Sequence, residues 1–384
     1  MRVLVIPSWY STPQNPYTGI YVKQQCEFIK KKGVEVHLMY ADLGPAALRI
    51  SLTKQFRCAK QLEGDLLTYR MPGLLPPKNY RWSLKLWLKC YEKLFHYYLA
   101  NEGKPFLIHA HSYLAGNLAA HLKTKYRIPY VLTEHSSRFI DSQFTNFQRK
   151  LITTAFDNAS CLIAVSEGLK LKMQLFTQQR ITVIPNMVST ELFSPPGIGQ
   201  RIGLPFKFFF IGSLIDRKQP FLLLEAFAIL KRSSHQQAEL HFIGSGPLIQ
   251  PLRERVVSSG LQSSVFMHGA KTPEETAKLL ASGNVLVLPS KAETFGIVLI
   301  EAMACGLPVI ASRCGGPEFI VDQSNGILIP PDNQKELEEA LRKMYDQKQR
   351  YDPQLIRDKV LQKYRGPRIA GQIIKIYQSI LANS

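Results

Sequence analysis

The chain has 384 residues, 45% hydrophobic and 20% charged, a soluble globular balance in a length that favours two domains over one core. No run of about twenty apolar residues occurs, which argues against a spanning helix. The net charge of +19 is lopsided: residues 1–195 carry 25 Lys and Arg against 12 Asp and Glu, the remainder 23 against 17. Such a surplus speaks to partners (nucleic acid, anionic lipid or a phosphate-bearing substrate) rather than to fold.

In chain order, Met1-Arg2-Val3-Leu4-Val5-Ile6-Pro7 is too short before its proline for a signal peptide, and it predicts a first strand over Val3–Ile6. Tyr17-Thr18-Gly19-Ile20 opens a helix through Gln24 to Lys31. Gly19 allows close backbone approach to a phosphate; a plain helix start is the alternative. Further strands are predicted at Val34–Tyr40, Leu66–Arg70, Leu107–Ala110, Tyr130–Thr133, Cys161–Val165 and Thr182–Ile184. Tyr80–Leu99 predicts a helix whose Arg81, Lys85, Lys89 and Lys93 fall at steps of four on one face. Trp82, Trp87, Tyr91, Phe95 and Tyr98 cover much of the rest. Such a helix either lies on an anionic bilayer surface or packs on a core with one solvated basic face. His109-Ala110-His111 and Thr133-Glu134-His135 end two strands, where open α/β sheets bind ligands. No third ligand with useful spacing makes them a zinc site.

Ser166-Glu167-Gly168 and Pro185-Asn186 predict a helix cap and a strand-end turn. Two prolines and two glycines in Thr190–Gly199 mark a linker. A second strand series follows: Lys207–Ile211, Glu239–Ile243, Val265–His268, Val285–Leu288, Val309–Ala311 and Ile327–Ile329. These are continuous apolar runs, as parallel strands covered on both faces require, and helical spacing at Pro220–Arg232 and Glu336–Asp346 completes an alternating β and α pattern. Gly212 to Lys218 follows the first of these strands, and Arg217 and Lys218 beyond its turn can neutralise a diphosphate, unless they are ordinary solvated charges. Gly244-Ser245-Gly246-Pro247 is a two-glycine turn, too little for a dinucleotide fingerprint; it and the His268-Gly269 loop suit the walls of a nucleotide pocket. Glu293 and Glu301 stand eight apart around a helix beginning near Gly296. The free N–H groups of such a helix start attract anions, so the pair suits a ligand anionic in one part and hydroxyl-rich in another, such as a nucleotide-sugar. The six cysteines show no Cys-x-x-Cys, which fits free thiols in a reducing cytoplasm. A final helix is expected over Gly371–Leu381.

The Glu293–Glu301 pair, Phe295-Gly296 and the tail Glu-Ala-Met-Ala-Cys-Gly-Leu-Pro-Val resemble the E-x7-E signature of retaining glycosyltransferases of the GT-B fold, and in particular glycosyltransferase family 4. Gly212–Lys218 resembles that family's G-x-L-x-x-x-K, Gly244–Pro247 its G-x-G-P, and Gly315–Glu318 a G-G-x-x-E segment that shapes the cleft wall. Ser166–Gly168 and Pro185-Asn186 also resemble family patterns at interdomain positions, with the cap and turn readings preferred for both. The single Gly19, where many members have Gly-Gly, resembles the shorter form of polysaccharide-assembly members. The resemblance covers most of the chain and is strongest from Phe206 to Leu328.

It implies an α/β fold of two Rossmann-like, doubly wound parallel-sheet domains facing across a cleft: residues 1–193 on the acceptor side, 194–370 binding the nucleotide-sugar, and a helix over 371–384 packing back on the first. It implies that Glu293 orients the sugar hydroxyls beside the N–H groups of Phe295, Gly296 and Ile297, and that Glu301 takes the ribose. Arg217 and Lys218 would hold the diphosphate, with Gly212 and Gly244 lining the donor pocket. Gly19 and His111 would complete the site from across the cleft, with His135 and His268 as further candidates. No Asp-x-Asp occurs, so no metal or other cofactor is expected, and protein cations would stabilise the leaving group. The expected acceptor is a glycan or lipid-linked glycan of surface polysaccharide. The expected location is cytoplasmic, peripheral on the inner membrane face through Arg81, Lys85, Lys89 and Lys93. The rivals are a sugar-nucleotide epimerase or hydrolase on the same fold, and a basic nucleic-acid- or membrane-binding protein. No nucleic-acid motif supports that last reading, and no nucleic-acid partner is expected.

Overall fold

A computed structural model describes the chain except residues 13–16, 44–56, 74–79, 142, 196–204, 234, 236 and 383–384. The Pro196–Gly199 part of the predicted linker thus lies outside the described residues, as do the side chains of Arg81 and Trp82.

The apolar runs form two sheets. The first contains β1 (Arg2–Pro7), β2 (Glu35–Leu43), β3 (Ala59–Glu63), β4 (Leu66–Gly73), β5 (Leu107–His111), β6 (Tyr130–Glu134), β7 (Cys161–Ala164) and β8 (Ile181–Val183). Its spatial order is β3-β4-β2-β1-β5-β6-β7-β8. The second contains β9 (Phe206–Ile211), β10 (Ala238–Ile243), β11 (Val265–Gly269), β12 (Val285–Leu288), β13 (Val309–Ser312) and β14 (Gly326–Ile329), in the order β11-β10-β9-β12-β13-β14. Every pairing is parallel except β3 with β4. Every residue of β5, β6, β12 and β13 is buried, as expected for strands covered by helices on both faces. The protein therefore has two Rossmann-like α/β units, with strand order reversing between β1 and β5 in one and between β9 and β12 in the other. Ligands bind at the carboxyl ends of strands at such reversals, and every sequence candidate near a strand end belongs to one of these two ends.

β3 was not anticipated. Ala-Lys-Gln-Leu-Glu has no apolar run and its residues are largely exposed, because it is an edge strand with one neighbour, blunted by Lys60. Its signal was the Gly64-Asp65 pair that closes the hairpin between Glu63 and Leu66, with Gly64 at φ +66.

The final helix begins earlier than expected, at Gly366, and runs to Ala382. Its Ile369, Ala370, Ile373 and Tyr377 are buried in one cluster with Val3, Val22, Cys26 and Phe28 of the first unit. Each large apolar side chain buried there contributes about 1.5–3 kcal/mol. Gly366 lies so close under Phe28 that a Cβ would overlap its ring, so the chain can turn onto the first unit only at a glycine. The preceding helix, Pro353–Tyr364, packs instead on Ile297–Ala304 of the second unit. Its Arg357 donates to the carbonyls of Thr190 (3.1 Å) and Phe193 (2.9 Å) and to that of Ala304, which ties the start of the linker to the end of that helix.

The helix Tyr80–Glu102 packs over β2 and β4. Tyr91, Phe95 and Tyr98 are fully buried, and Trp87 lies against Tyr91 at 4.4 Å between ring centroids. Of the two readings of this helix, Tyr91, Phe95 and Tyr98 thus follow the core one. Lys85, Lys89 and Lys93 lie on the opposite, exposed face. No helix among the described residues is long and apolar enough to cross a membrane. All six cysteines are free thiols.

Candidate active site

The second unit builds one wall of a cleft from the ends of β9 and β12. Because these strands are neighbours, the turn after β9 and the loop after β12 meet. The Lys218 ammonium pairs with Oε1 of Glu293, and the Ser290 hydroxyl donates to the same oxygen at 3.0 Å. Glu293 is only 7% exposed, and Lys218 is its cationic partner there. Arg217 does something different: its Nη1 donates to the Ala292 carbonyl at 2.7 Å and braces the loop that carries Glu293. Gly296, at φ +93, turns the chain into the helix Ile297–Ala304 and leaves that helix's first N–H groups without intrahelical partners. Arg217, Lys218, Glu293, Phe295, Gly296 and Ile297 all line one cleft of about 400 Å³.

The first unit supplies the opposite wall, with Trp9, Tyr21, His135, Ser136, Ser137 and Asn186. Trp9 follows β1 and donates from its indole to the Tyr21 hydroxyl at 3.0 Å. Tyr21 lies 4.7 Å from the ring of His135. Behind this surface His135 Nε2 is 2.9 Å from His111 Nδ1, and His111 stacks on His109 at 4.4 Å. His109 is held by the Tyr377 hydroxyl (2.6 Å) and the Thr133 hydroxyl (2.8 Å). Burial pushes His109 and His135 down to about 3 and His111 well below its usual value, so all three rings are neutral at physiological pH. The fully buried Glu134 accepts from the backbone N–H groups of Tyr113, His135 and Ser136 at 2.8–2.9 Å and fixes the strand end that carries His135. Ser112 sits at φ +68, a strained conformation for a non-glycine residue, costing on the order of 1–3 kcal/mol, of the kind that gathers at functional sites. The walls touch where the Thr294 hydroxyl donates to the His135 carbonyl at 2.9 Å.

Several sequence candidates lie elsewhere than expected. Gly19 is buried as the N-cap of Ile20–Lys30, where a Cβ would come within 2.8 Å of the Trp9 carbonyl. Its glycine serves packing against the Trp9 turn, and it does not line the cleft. His111 is 2% exposed, one layer behind His135, because Ser8 and Glu134 hold the two strand ends tightly together. Gly212 and Gly244 lie against each other, and a Cβ on Gly244, at φ +138, would overlap the Gly212 carbonyl; they allow neighbouring strand-end loops to stack. His268 is 2.9 Å from His241, outside the 400 Å³ cleft. Asn186, read as part of a turn in preference to an interdomain role, lines the cleft. Trp9 and Tyr21 were not singled out at all; the available signal was two aromatics flanking the turn after the first strand at a switch point.

Glu301 is half-buried on the helix Ile297–Ala304, one turn below Ile297 on the same face. Its carboxyl has no hydrogen-bond partner among the described residues, and burial pushes its pKa from 4.5 up to about 7. The folded protein keeps this proton to a higher pH than the unfolded chain does, so the group's contribution to stability is full below pH 4.5 and is lost as the pH rises through 7. Glu301→Gln should therefore raise Tm at pH 8, by the equivalent of at most about 3 kcal/mol, and leave it unchanged near pH 4.5. Melting curves at the two pH values check this; an equal effect at both would remove the desolvation account.

Among the described residues Glu35, His37 and Glu102 lie close enough to share a cation. They sit at the amino ends of β1 and β2, opposite the cleft, with Arg2 and Lys60 already paired to the two carboxylates.

Comparison with known proteins places the chain. The profile described as Glycosyltransferase Family 4 matches residues 18–192, and that described as Glycosyl transferases group 1 matches residues 200–357. An uncharacterised glycosyltransferase of Methanocaldococcus jannaschii is 32% identical over 61% of this chain, and the match spans 64% of that relative's length. A putative teichuronic acid biosynthesis glycosyltransferase of Bacillus subtilis is 25% identical over 93% of this chain and 92% of its own. Sucrose-phosphate synthase from Thermosynechococcus elongatus shares the fold over 100% of both chains, with a TM-score of 0.82 at 24% identity. With two parallel-sheet units meeting at one cleft and both halves matched, the chain belongs to the GT-B glycosyltransferases of the family 4 type.

Proposed function

We propose that this glycosyltransferase moves a hexose-type sugar from a nucleoside-diphosphate donor to a glycan or lipid-linked glycan acceptor, with retention of configuration and without a metal ion. The observation that carries the reading is the convergence of Lys218, Glu293 and the helix start at Gly296 on one cleft, opposite an aromatic wall. The donor diphosphate would draw Lys218 away from Glu293. That exchange frees the Glu293 carboxylate to accept hydrogen bonds from sugar hydroxyls, while the N–H groups at Ile297 and Val298 meet the phosphate oxygens. Arg217 would act from its braced position on the same loop, and Glu301 would accept from the ribose.

The bond from the anomeric carbon to the leaving phosphate oxygen breaks, and the acceptor oxygen bonds to that carbon on the same face. The acceptor's proton goes to the departing phosphate, and the nucleoside diphosphate leaves. Charge developing on the phosphate is stabilised by Lys218 and the helix start. The Trp9 and Tyr21 wall offers an apolar face to a sugar ring. Glycan assembly as the role draws support from the Bacillus subtilis relative, whose name states teichuronic acid biosynthesis.

A thermal-shift panel of UDP-, GDP- and ADP-sugars tests the donor. One of them should raise Tm by several degrees, since ligation stabilises the folded state by mass action; no shift with any of them would overturn the donor class. Donor consumption without transfer to any glycan would favour the epimerase or hydrolase. The anomeric configuration of the product reports retention, and an unchanged rate in EDTA reports metal independence.

Membrane contact rests on the exposed row of Lys85, Lys89 and Lys93, now as a purely electrostatic face worth about 1 kcal/mol per lysine near an anionic surface. The triple change to Glu should abolish co-sedimentation with anionic liposomes at physiological salt. Binding that persists in the variant would remove this face from the account.

A further inference from the structure

The histidines behind the first wall have a hydrogen pattern that their surroundings decide. A neutral imidazole carries one N–H, and burial keeps both His111 and His135 neutral. In the 2.9 Å contact between His111 Nδ1 and His135 Nε2, one ring therefore donates and the other accepts. The other nitrogen of His111, Nε2, is buried with no partner. A proton on it would be an orphaned buried donor, which is rarer in proteins than an under-satisfied acceptor. The His111 proton accordingly belongs on Nδ1 and is donated to His135 Nε2.

Once Nε2 of His135 accepts, its own proton must sit on Nδ1. That nitrogen has no partner among the described residues, and His135 is one of the residues that line the cleft. We infer that His111 locks His135 as the Nδ1–H tautomer, so that the cleft receives a fixed N–H donor aimed at an oxygen of the bound sugar or phosphate. The frame for this is rigid. Glu134 holds the His135 backbone N–H at 2.8 Å, and Tyr21 and His111 both lie close to the ring, at 4.7 and 5.2 Å between centroids. His111 is then a positioning residue that acts through His135. The inference deepens the glycosyltransferase reading and rests on it only for the identity of the oxygen.

Long-range proton–nitrogen spectra of the full chain, labelled with ¹⁵N in histidine, read the tautomer directly. His135 is assigned from the signals missing in His135→Gln. The expected wild-type pattern is a protonated Nδ1 and a bare Nε2 on His135, the reverse of the preference of a free imidazole side chain. His111→Phe should return His135 to the ordinary mixture and lower kcat by threefold to tenfold, the worth of one oriented neutral hydrogen bond, with donor KM little changed. His111→Asn, whose amide N–H can stand where Nδ1–H stood, should restore both. A wild-type His135 carrying its proton on Nε2, or a folded His111→Phe with an unchanged His135 spectrum, would overturn the inference. The spectra need no substrate. An inactive protein with the expected spectrum would therefore count against the transferase reading and leave the tautomer standing.

Discussion

Lys218→Ala should lower kcat/KM by a factor of 10² to 10³, the 2.7–4 kcal/mol expected when a charged contact to a developing oxyanion is lost. The structure adds a second consequence. Lys218 is the partner of Glu293, and the Ser290 hydroxyl alone cannot balance a carboxylate that is 7% exposed. Removing one member of a buried pair leaves the other uncompensated, so Tm of the unliganded variant should fall as well. Lys218→Arg keeps the charge but not the compact ammonium; it should recover most of the stability and only part of the rate. Steady-state kinetics with saturating acceptor, beside melting curves without ligand, separate the two effects. A loss of less than about threefold would take Lys218 out of the chemistry. Arg217→Ala should act more through KM than kcat, since its guanidinium is already committed to the Ala292 carbonyl.

Gly168→Ala should cost activity on the order of 10²-fold while leaving each unit folded. Gly168 lies in the first helical turn after Ser166, whose hydroxyl caps Leu169 N at 3.1 Å. It faces the Gly315 carbonyl of the second unit so closely that a Cβ would overlap that oxygen and reach Phe319 at 3.2 Å. Neither obstacle is a flexible side-chain end that can simply move aside: one is backbone, the other an aromatic ring. The two units would have to part on the order of an ångström, and a displacement of that size at reacting groups can cost about 10² in rate. Since the Gly315 N–H donates to the Glu318 carboxylate and the neighbouring Cys314 carbonyl accepts from the Glu293 N–H at 3.2 Å, the strain would be felt beside Glu293. The expected result is a large drop in kcat with a Tm within a degree or two of wild type. Wild-type activity in a folded Gly168→Ala would show that the units need not approach this closely. A collapse of Tm would show instead that the contact is part of the core.

These two residues mark the division between what was legible in the chain and what was not. Lys218, Glu293 and Gly296 could be marked as candidates from the sequence because each stands just past an apolar strand, and strand ends at a switch point are where an α/β sheet binds ligands. Gly168 matched a family pattern at an interdomain position but was read as part of a helix cap, because nothing local in Ser-Glu-Gly separates a cap from a contact with a carbonyl 147 residues further along the chain, that of Gly315. His111 and Gly19 were assigned to the cleft by the family resemblance together with their place at element ends. Their burial depends on what packs above them, Tyr21 and His135 in one case and the Trp9 turn in the other. Tyr91, Phe95 and Tyr98 could serve a bilayer or a core, and only the presence of β2 and β4 beneath them decides.

By itself the sequence determined the two-sheet α/β architecture, most strand positions within a residue of those observed (β3 excepted, and β2 and β4 running three residues further than expected), and the group of polar residues around β9 and β12. It could do so because apolar runs, turn glycines and helix starts act over a few neighbouring residues. The tertiary structure alone decided which of those polar residues face open space and which stand behind them, what pairs with Glu293 before any ligand arrives, and that Trp9 and Tyr21 form the opposite wall. Those outcomes depend on the approach of segments far apart in the chain, 75 residues for Lys218 and Glu293 and 159 for His135 and Thr294, and burial, charge pairing and orientation are properties of that approach rather than of local sequence.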